Sequence, residues 1–163
     1  MTIVAEEYKL LAYLPFADPE TEAITRMATA LGVPVSQGPE GAPEINTAQF
    51  LIYGFLPDDV DRRAVTDLYG LDSNLTLVFT DPVDEQLVDS PVAQSMMRLA
   101  QTLAAVDGAR GVIVADYTVD GIILRFQNGK VTLNQDWDGW QTLPGVLEAI
   151  PEPRTMAHLQ GRN

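Results

Sequence analysis

The chain of 163 residues contains no cysteine and a single histidine, His158. Without cysteine, disulfides, thiolate metal sites and cysteine nucleophiles are excluded. Histidine is the usual general base near neutral pH, and His158 lies in a polar C-terminal segment that offers no fixed geometry for catalysis, so a Ser-His-Asp triad is not expected. These two kinds of catalytic site are therefore not expected, and we find no motif for a cofactor or a metal.

Basic residues are also scarce, with 10 lysines and arginines against 23 acidic residues and a formal net charge of -13. A surface of this charge repels nucleic acid and anionic membranes, and it attracts basic partners. The basic residues are scattered along the sequence, and only Arg62 and Arg63 are adjacent, so no nucleic-acid footprint is expected. A secretory leader and a long apolar run are missing too, which predicts a soluble, cytoplasmic protein without a membrane partner.

Complete ion-binding loops are missing as well. The segment Gly38-Pro39-Glu40-Gly41 lacks the lysine and the following helix of a phosphate loop. Asp136-x-Asp138-Gly139 resembles part of a calcium loop, but its twelfth position is Leu147 instead of a glutamate. A carboxylate-based enzyme remains an alternative, because spacing in the sequence does not show whether acidic side chains converge in a pocket.

What the sequence does contain is enough apolar material for one core, since 46% of its residues are hydrophobic. We predict a single α+β domain over residues 1–151 and a flexible tail over residues 152–163. Its order of elements indicates a mixed or antiparallel sheet that ends in a C-terminal three-stranded meander, with helices packed on one face. The strands before the meander are predicted at residues 5–16, 50–56 (the central strand) and 75–80; the helices at residues 19–31, 58–69, 90–106 and 143–150; and a loop at residues 33–46.

Two helix starts carry clear capping signals. Asp18 and Asp58 are both good N-cap residues, and acidic residues follow each of them in the first helical turn. In the helix that begins after Asp58, apolar residues at helical spacing predict an inward face. That face consists of Val60, Ala64 and Leu68.

The clearest local structure is a hairpin around Asn128-Gly129, a dipeptide that tolerates the positive φ angles of a type I′ turn. The turn sets a register in which apolar residues share one face. In this register Leu124 lies opposite Leu133, Phe126 opposite Val131, Arg125 opposite Thr132, and Gln127 opposite Lys130. A second turn at Asp120-Gly121 would place Tyr117 opposite Leu124 and Asp116 opposite Arg125, completing the meander.

Two groups of residues are candidates for a partner-binding site. Asp58, Asp59 and Asp61 fit helix capping, but with Asp67 they also belong to residues 58–89, which carry a net charge of -7 and more than half of the total. The second group is Asp136, Trp137, Asp138 and Trp140, just after the hairpin. The tryptophans either close the end of the sheet or form a contact site rimmed by acid, because tryptophan is enriched among interface hot spots.

Residues 92–140 show a pattern that resembles a known family. A helix with Val92, Met96 and Leu99 on one face is followed by a Gly-Val-Ile-Val strand, an Asp-Gly-Ile-Ile-Leu-Arg strand, an Asn-Gly turn and the run Lys-Val-Thr-Leu-Asn-Gln-Asp-Trp. This succession resembles immunity proteins of bacterial polymorphic toxin systems, of the myxobacterial type that protects kin from exchanged toxins.

The resemblance implies a non-enzymatic protein that binds and neutralises a cognate toxin in the cytoplasm of the producing cell during bacterial competition. An acidic surface would steer association with a basic toxin. The candidate contacts are Asp58, Asp59, Asp61, Asp67, Asp136, Trp137, Asp138 and Trp140. A structural or adaptor domain of a phage or secretion system remains the main alternative, and the oligomeric state stays open.

Overall fold

The computed structural model, which describes residues 7–80, 90–115 and 121–162, shows an α+β fold in which the described residues form one nine-stranded sheet. The strands are β1 (Glu7–Tyr13), β2 (Ser36–Gln37), β3 (Pro43–Asn46), β4 (Leu51–Phe55), β5 (Leu75–Thr80), β6 (Arg110–Val114), β7 (Ile122–Gln127), β8 (Lys130–Asn134) and β9 (Thr155–Ala157). The helices are α1 (Pro19–Leu31), α2 (Asp59–Tyr69), α3 (Ser90–Ala104) and α4 (Gly139–Thr142), with 3-10 turns at Pro39–Gly41 and Leu147–Ala149. Among the described helices, none is both long and apolar enough to cross a bilayer.

The sheet is mixed, and β1 lies at its centre. The spatial order is β2-β3-β4-β5-β1-β6-β7-β8-β9, and every neighbouring pair is antiparallel except β8 and β9. Leu10 of β1 lies opposite Leu77 on one side and Ile113 on the other. The prediction that residues 50–56 form the central strand was wrong, because β4 is third from one edge of the sheet and only Ile52 among its residues is fully buried.

Helices cover both faces of the sheet, which corrects the prediction of one covered face. Successive residues of a strand point to opposite faces, and β1 divides its side chains in this way. Leu10 belongs to the large core cluster that contains the apolar residues of α1 and α3. Leu11 belongs to a second cluster with Val65 and Tyr69 of α2. Thus α1 and α3 pack on one face and α2 on the other.

The buried face of α2 also differs from the predicted one. Val60 is 74% exposed, Ala64 is exposed and Leu68 is only half-buried. Val65 and Tyr69 are the buried positions of this helix instead. Both sets have helical spacing, so the sequence of α2 permits either stripe, and the contact with the sheet selects the one that includes the large aromatic ring.

The predicted capping of α1 and α2 is confirmed. Asp18 accepts a hydrogen bond from the backbone N–H of Thr21 at 3.2 Å, and Asp58 accepts one from Asp61 at 2.8 Å. The predicted helix at residues 143–150 is shorter than expected, since only Leu147–Ala149 form a 3-10 turn. Pro144 and Gly145 precede this turn and favour a bend over a regular helix.

The Asn128-Gly129 hairpin is confirmed in the predicted register, with Leu124 opposite Leu133 and Arg125 opposite Thr132. Asn128 and Gly129 both have positive φ angles, as a type I′ turn requires. The pairing predicted for the other side of β7 was wrong. Val112, not Asp116, lies opposite Arg125, and Ile113, not Tyr117, lies opposite Leu124. Residues 116–120, where the second turn was predicted, lie outside the described residues.

The C-terminal three-stranded meander is therefore not confirmed as predicted, and the sheet does not end with it. Residues 152–163, which we predicted as a flexible tail, contribute β9, which pairs in parallel with β8. Leu159, two residues beyond β9, is buried in the cluster under α2. The apolar side chains Met156 and Leu159 are too few to give a readable pattern, so these contacts were not predicted.

The predicted loop at residues 33–46 was wrong in part. It contains β2, a 3-10 turn and β3, and Ile45 of β3 is fully buried opposite Ile52 of β4. Proline has no N–H to donate to a neighbouring strand, and within a sheet it is tolerated as the first residue of a strand. Pro43, the first residue of β3, occupies this kind of position.

Close packing at Gly111 of β6 leads to a stability prediction. A Cβ atom on this residue would lie 2.3 Å from Cζ of Phe126 and 3.0 Å from the backbone oxygen of Leu11. Because Phe126 is fully buried, its ring has little room to move. We expect Gly111→Ala to lower the free energy of unfolding by about 1–3 kcal/mol, measured by urea denaturation. The cost should shrink in a Phe126→Leu background, and equal costs in both backgrounds would contradict a clash with this ring.

Candidate functional site

The first turn of α2 and the residues just before it form an exposed surface that combines apolar and acidic side chains. We define the α2 N-terminal surface as Leu56, Asp58, Asp59, Val60 and Asp61. Leu56 is 61% exposed and Val60 is 74% exposed, and all three aspartates are exposed. The preceding strand β4 ends at Phe55, itself an exposed aromatic residue. Apolar side chains at this point therefore continue from the sheet into the helix start.

The carboxylates of this surface lie close in the chain to Arg62 and Arg63 but are not held in ion pairs with them. Within the described ranges, no lysine or arginine lies within ion-pair distance of Asp58, Asp59 or Asp61. Arg62 instead pairs with Asp72 at 2.8 Å, and this hydrogen bond and charge raise the pKa of Arg62, with a smaller contribution from Asp59. The surface thus presents negative charge to a partner.

Asp67, the fourth predicted acidic contact, lies apart from this surface. It is exposed near the other end of α2, about 9 Å along the helix axis from Asp61. Its backbone oxygen accepts a hydrogen bond from Nε of Arg162 at 3.1 Å. Asp67 therefore belongs to the part of α2 that the C-terminal segment contacts.

The two tryptophans belong mainly to the core. Trp140 of α4 is only 9% exposed, and its Nε1 donates a hydrogen bond to the backbone oxygen of Asn134 at 2.7 Å. Its ring meets Trp137 edge to face at a centroid distance of 4.7 Å, and Trp137 meets Tyr8 of β1 in the same way at 6.5 Å. A Trp140 ring in this position closes the end of the sheet and offers little surface to a partner, whereas Trp137 is partly exposed.

The acidic residues around the tryptophans remain at the surface. Asp136 is exposed, and its carboxylate contacts Nδ1 of His158, which draws the C-terminal segment toward β8. Asp138 is exposed and makes no capping hydrogen bond with its side chain. Because the tryptophan rings pack with the α1 and α3 core while α2 covers the other face, the structure does not combine the two predicted groups into one site.

Asn134 is an important residue that the sequence analysis did not single out. It is 2% exposed at the end of β8, and its amide nitrogen donates to the backbone oxygens of Ile122 at 2.7 Å and Leu159 at 3.3 Å. Its side-chain oxygen accepts hydrogen bonds from the backbone N–H groups of Asp136 and Leu159, each at 3.2 Å. This side chain ties β7, the Trp137 segment and the C-terminal segment together. Nothing local in the sequence marks it, because three of its four hydrogen bonds join it to residues that are distant in the chain.

The basic residues are scattered along the sequence, but the fold brings three of them together. Arg110, Arg125 and Arg162 lie far apart in the sequence but line the same cavity beside the C-terminal end of α2.

Within the described part of the chain, no group of three or more histidine, aspartate and glutamate side chains is arranged to hold a metal ion.

Comparisons with protein-family models, with characterised proteins and with solved structures gave no significant match to this chain.

Proposed function

We propose that this protein is an immunity protein that binds and neutralises a basic bacterial toxin in the cytoplasm, and that the α2 N-terminal surface makes the central contact. The observation that carries the proposal is the exposure of Val60 and Leu56 among three aspartates that make no ion pair within the described residues. The resemblance of residues 92–140 to immunity proteins supports the same function but does not indicate a contact surface.

The arrangement of this surface matches the usual anatomy of a protein interface. Exposed apolar side chains at the centre of a contact are desolvated on binding, while charged groups at the rim select the partner and orient it. Val60 makes little contribution to the core, so its exposure has no evident role in stabilising the fold. An apolar residue in this position is therefore free to contribute to binding.

The three carboxylates supply the electrostatic part of the interaction. Charges of one sign on a surface raise the rate at which an oppositely charged partner arrives, over a range of about 8–10 Å at physiological salt. The formal net charge of -13 adds to this attraction. A basic toxin is the partner for which this field is complementary.

The proposal predicts that a basic toxin is encoded beside this chain. It is tested by expressing that toxin alone and together with this chain and counting viable host cells. We expect co-expression to restore growth. A triple variant, Asp58→Asn with Asp59→Asn and Asp61→Asn, should slow association of the purified pair by about tenfold at low salt and leave dissociation nearly unchanged. Asparagine is as good an N-cap as aspartate, so α2 should remain intact, and circular dichroism would verify this.

A matched triple variant provides the control, because it removes the same number of charges from other exposed positions. It combines Glu40→Gln, Asp107→Asn and Glu148→Gln. If both triple variants slow association equally, net charge alone acts, and the assignment of the α2 N-terminal surface is wrong. If the neighbouring protein binds but host growth is not restored, the chain is an adaptor and not an immunity protein.

The apolar part of the surface has its own variant. Val60→Asp places a further charge at the centre of the proposed contact and should raise the dissociation rate by at least tenfold, since a buried unpaired carboxylate is costly to desolvate. Because Val60 is exposed in the free protein, the substitution should change the free energy of unfolding of the protein little. An unchanged dissociation rate would exclude Val60 from the interface.

A further inference from the structure

A small cavity of about 180 Å³ lies between the C-terminal end of α2 and the strands β6 and β7. Its lining includes three arginines and one glutamine and, among the described residues, no carboxylate, although the chain as a whole is strongly acidic. Three of the ten basic residues of the chain thus converge on one place. The lining residues used below are Tyr69, Arg110, Arg125, Gln127 and Arg162.

The sheet register and the C-terminal segment bring these side chains together. Arg110 of β6 lies directly opposite Gln127 of β7, and Arg125 precedes Gln127 by two residues, so all three project from the same face. Lys130 of β8 lies opposite Gln127 and adds a fourth basic residue to this corner of the sheet. Arg162 arrives from the C-terminal segment and is held by its hydrogen bond to Asp67.

Part of this arrangement has a structural role. Nη1 of Arg125 donates to the backbone oxygen of Tyr69 at 3.4 Å, and Nη2 donates to the backbone oxygen of Gly161. The bonds from Arg125 to Tyr69 and from Arg162 to Asp67 satisfy carbonyl groups near the C-terminal end of α2, where the helix itself has no basic residue in its last turn. Cations are favourable at this end of a helix dipole.

Other donors of the cluster are not accounted for by that role. Nε of Arg125 is buried and has no hydrogen-bond partner in the part of the chain that the structure describes. Among the described residues, the Arg110 side chain has no hydrogen-bond or ion-pair partner, and its guanidinium lies over the Tyr13 ring at 5.3 Å from the centroid. A buried donor without a partner is costly, so Nε of Arg125 favours a ligand that accepts hydrogen bonds. The half-buried guanidinium of Arg110 is available to the same ligand.

The positive charge of the cluster has no paired carboxylate among the described side chains. No described carboxylate lies within ion-pair distance of Arg110, Arg125 or Arg162. Burial lowers the pKa of Arg125, the direction expected for a cation removed from water without a counter-ion. A bound anion would offset this desolvation.

We propose that this cavity binds a small tetrahedral oxyanion, namely phosphate or the phosphoryl group of a small ester. Guanidinium groups match the geometry of phosphate oxygens and form charge-assisted hydrogen bonds with them. The cavity is smaller than the usual site for a drug-sized ligand, which favours a compact anion over a nucleotide. This site is separate from the α2 N-terminal surface, and neither proposal depends on the other.

The probe is inorganic phosphate, titrated into the full chain at low ionic strength and followed by calorimetry and by backbone amide shifts. We expect saturable binding at one site with shifts around Gly111, Gln127 and Gly70. Arg110→Gln and Arg162→Gln should each weaken binding by about tenfold or more. Arg98→Gln is the matched control, because Arg98 is an exposed arginine on α3, on the other face of the sheet. The phosphate affinity of this variant should equal that of the unmodified chain.

Parallel titrations distinguish the ligand class. Methyl phosphate tests whether an esterified phosphoryl group enters, and acetate tests whether any small anion suffices. Binding of acetate as tight as that of phosphate would overturn the tetrahedral assignment. Absence of saturable phosphate binding, or an equal loss in Arg98→Gln, would overturn the site itself. If Arg162→Gln fails to fold, Arg110→Gln still decides, since Arg110 makes no hydrogen bond to α2.

Discussion

Trp140→Ala is expected to lower the free energy of unfolding by about 3–5 kcal/mol, a large part of the ~5–15 kcal/mol that stabilises a typical domain. The variant removes a ring that is 91% buried, with its edge-to-face contact with Trp137 and its hydrogen bond to the Asn134 carbonyl. Urea denaturation followed by far-UV circular dichroism measures the effect without relying on tryptophan emission.

Trp137→Ala is the companion variant, because Trp137 keeps part of its ring in solvent. It should cost clearly less than Trp140→Ala, since less apolar area leaves the core. An unfolding midpoint of Trp140→Ala equal to that of the unmodified chain would contradict the core position of this ring. It would also restore Trp140 as a candidate contact residue, the alternative that the sequence left open.

Asn134→Ala is expected to be destabilising by about 3 kcal/mol or more, because buried groups that lose a hydrogen-bond partner each cost roughly 1–3 kcal/mol. The substitution removes the amide nitrogen that donates to the backbone oxygens of Ile122 and Leu159. It also removes the side-chain oxygen that accepts from the backbone N–H groups of Asp136 and Leu159. Amide hydrogen exchange provides a local measurement. The Leu159 amide should exchange much faster in the variant than in the unmodified chain.

Asn134→Asp separates the two functions of this side chain. It retains an oxygen that can accept from the N–H groups of Asp136 and Leu159. It replaces the amide donor with a second carboxylate oxygen, which would face the carbonyl oxygens of Ile122 and Leu159. The variant should therefore be at least as destabilising as alanine. Gln135→Ala, at the exposed neighbour, should be nearly neutral. If Asn134→Ala were also neutral, the hydrogen bonds of Asn134 would not be what holds the C-terminal segment.

The candidate site was predictable only where its residues are adjacent in the chain. Asp58, Asp59 and Asp61 could be placed at the start of α2 because an N-cap and acidic first-turn residues are read directly from the sequence. The sequence could not show whether Val60 faces the core or the solvent, because this depends on which stripe of α2 packs against the sheet. Val60 is exposed in the structure, and it therefore adds an apolar side chain to this surface.

The arginine cavity shows the opposite case. Its members come from β6, β7 and the C-terminal segment, and they meet through strand pairings and through Arg162. The alternation of β7 places Arg125 on a polar face, which the hairpin pattern indicated. The pattern did not reveal that Arg110 lies on the neighbouring strand beside Gln127. The predicted register on that side of β7 placed Asp116 opposite Arg125, where the structure has Val112.

The sequence by itself determined the α+β class, the extents of α1, α2 and β5, and the register of the Asn128-Gly129 hairpin. Each of these depends on contacts within a short stretch: a cap, a helical or alternating period, or a turn that allows positive φ. Only the tertiary structure decided that β1 is central, that helices cover both faces, and that β9 adds a parallel edge. These features arise from packing between segments far apart in the chain, where several arrangements satisfy the same local pattern and the burial of the largest apolar area selects one.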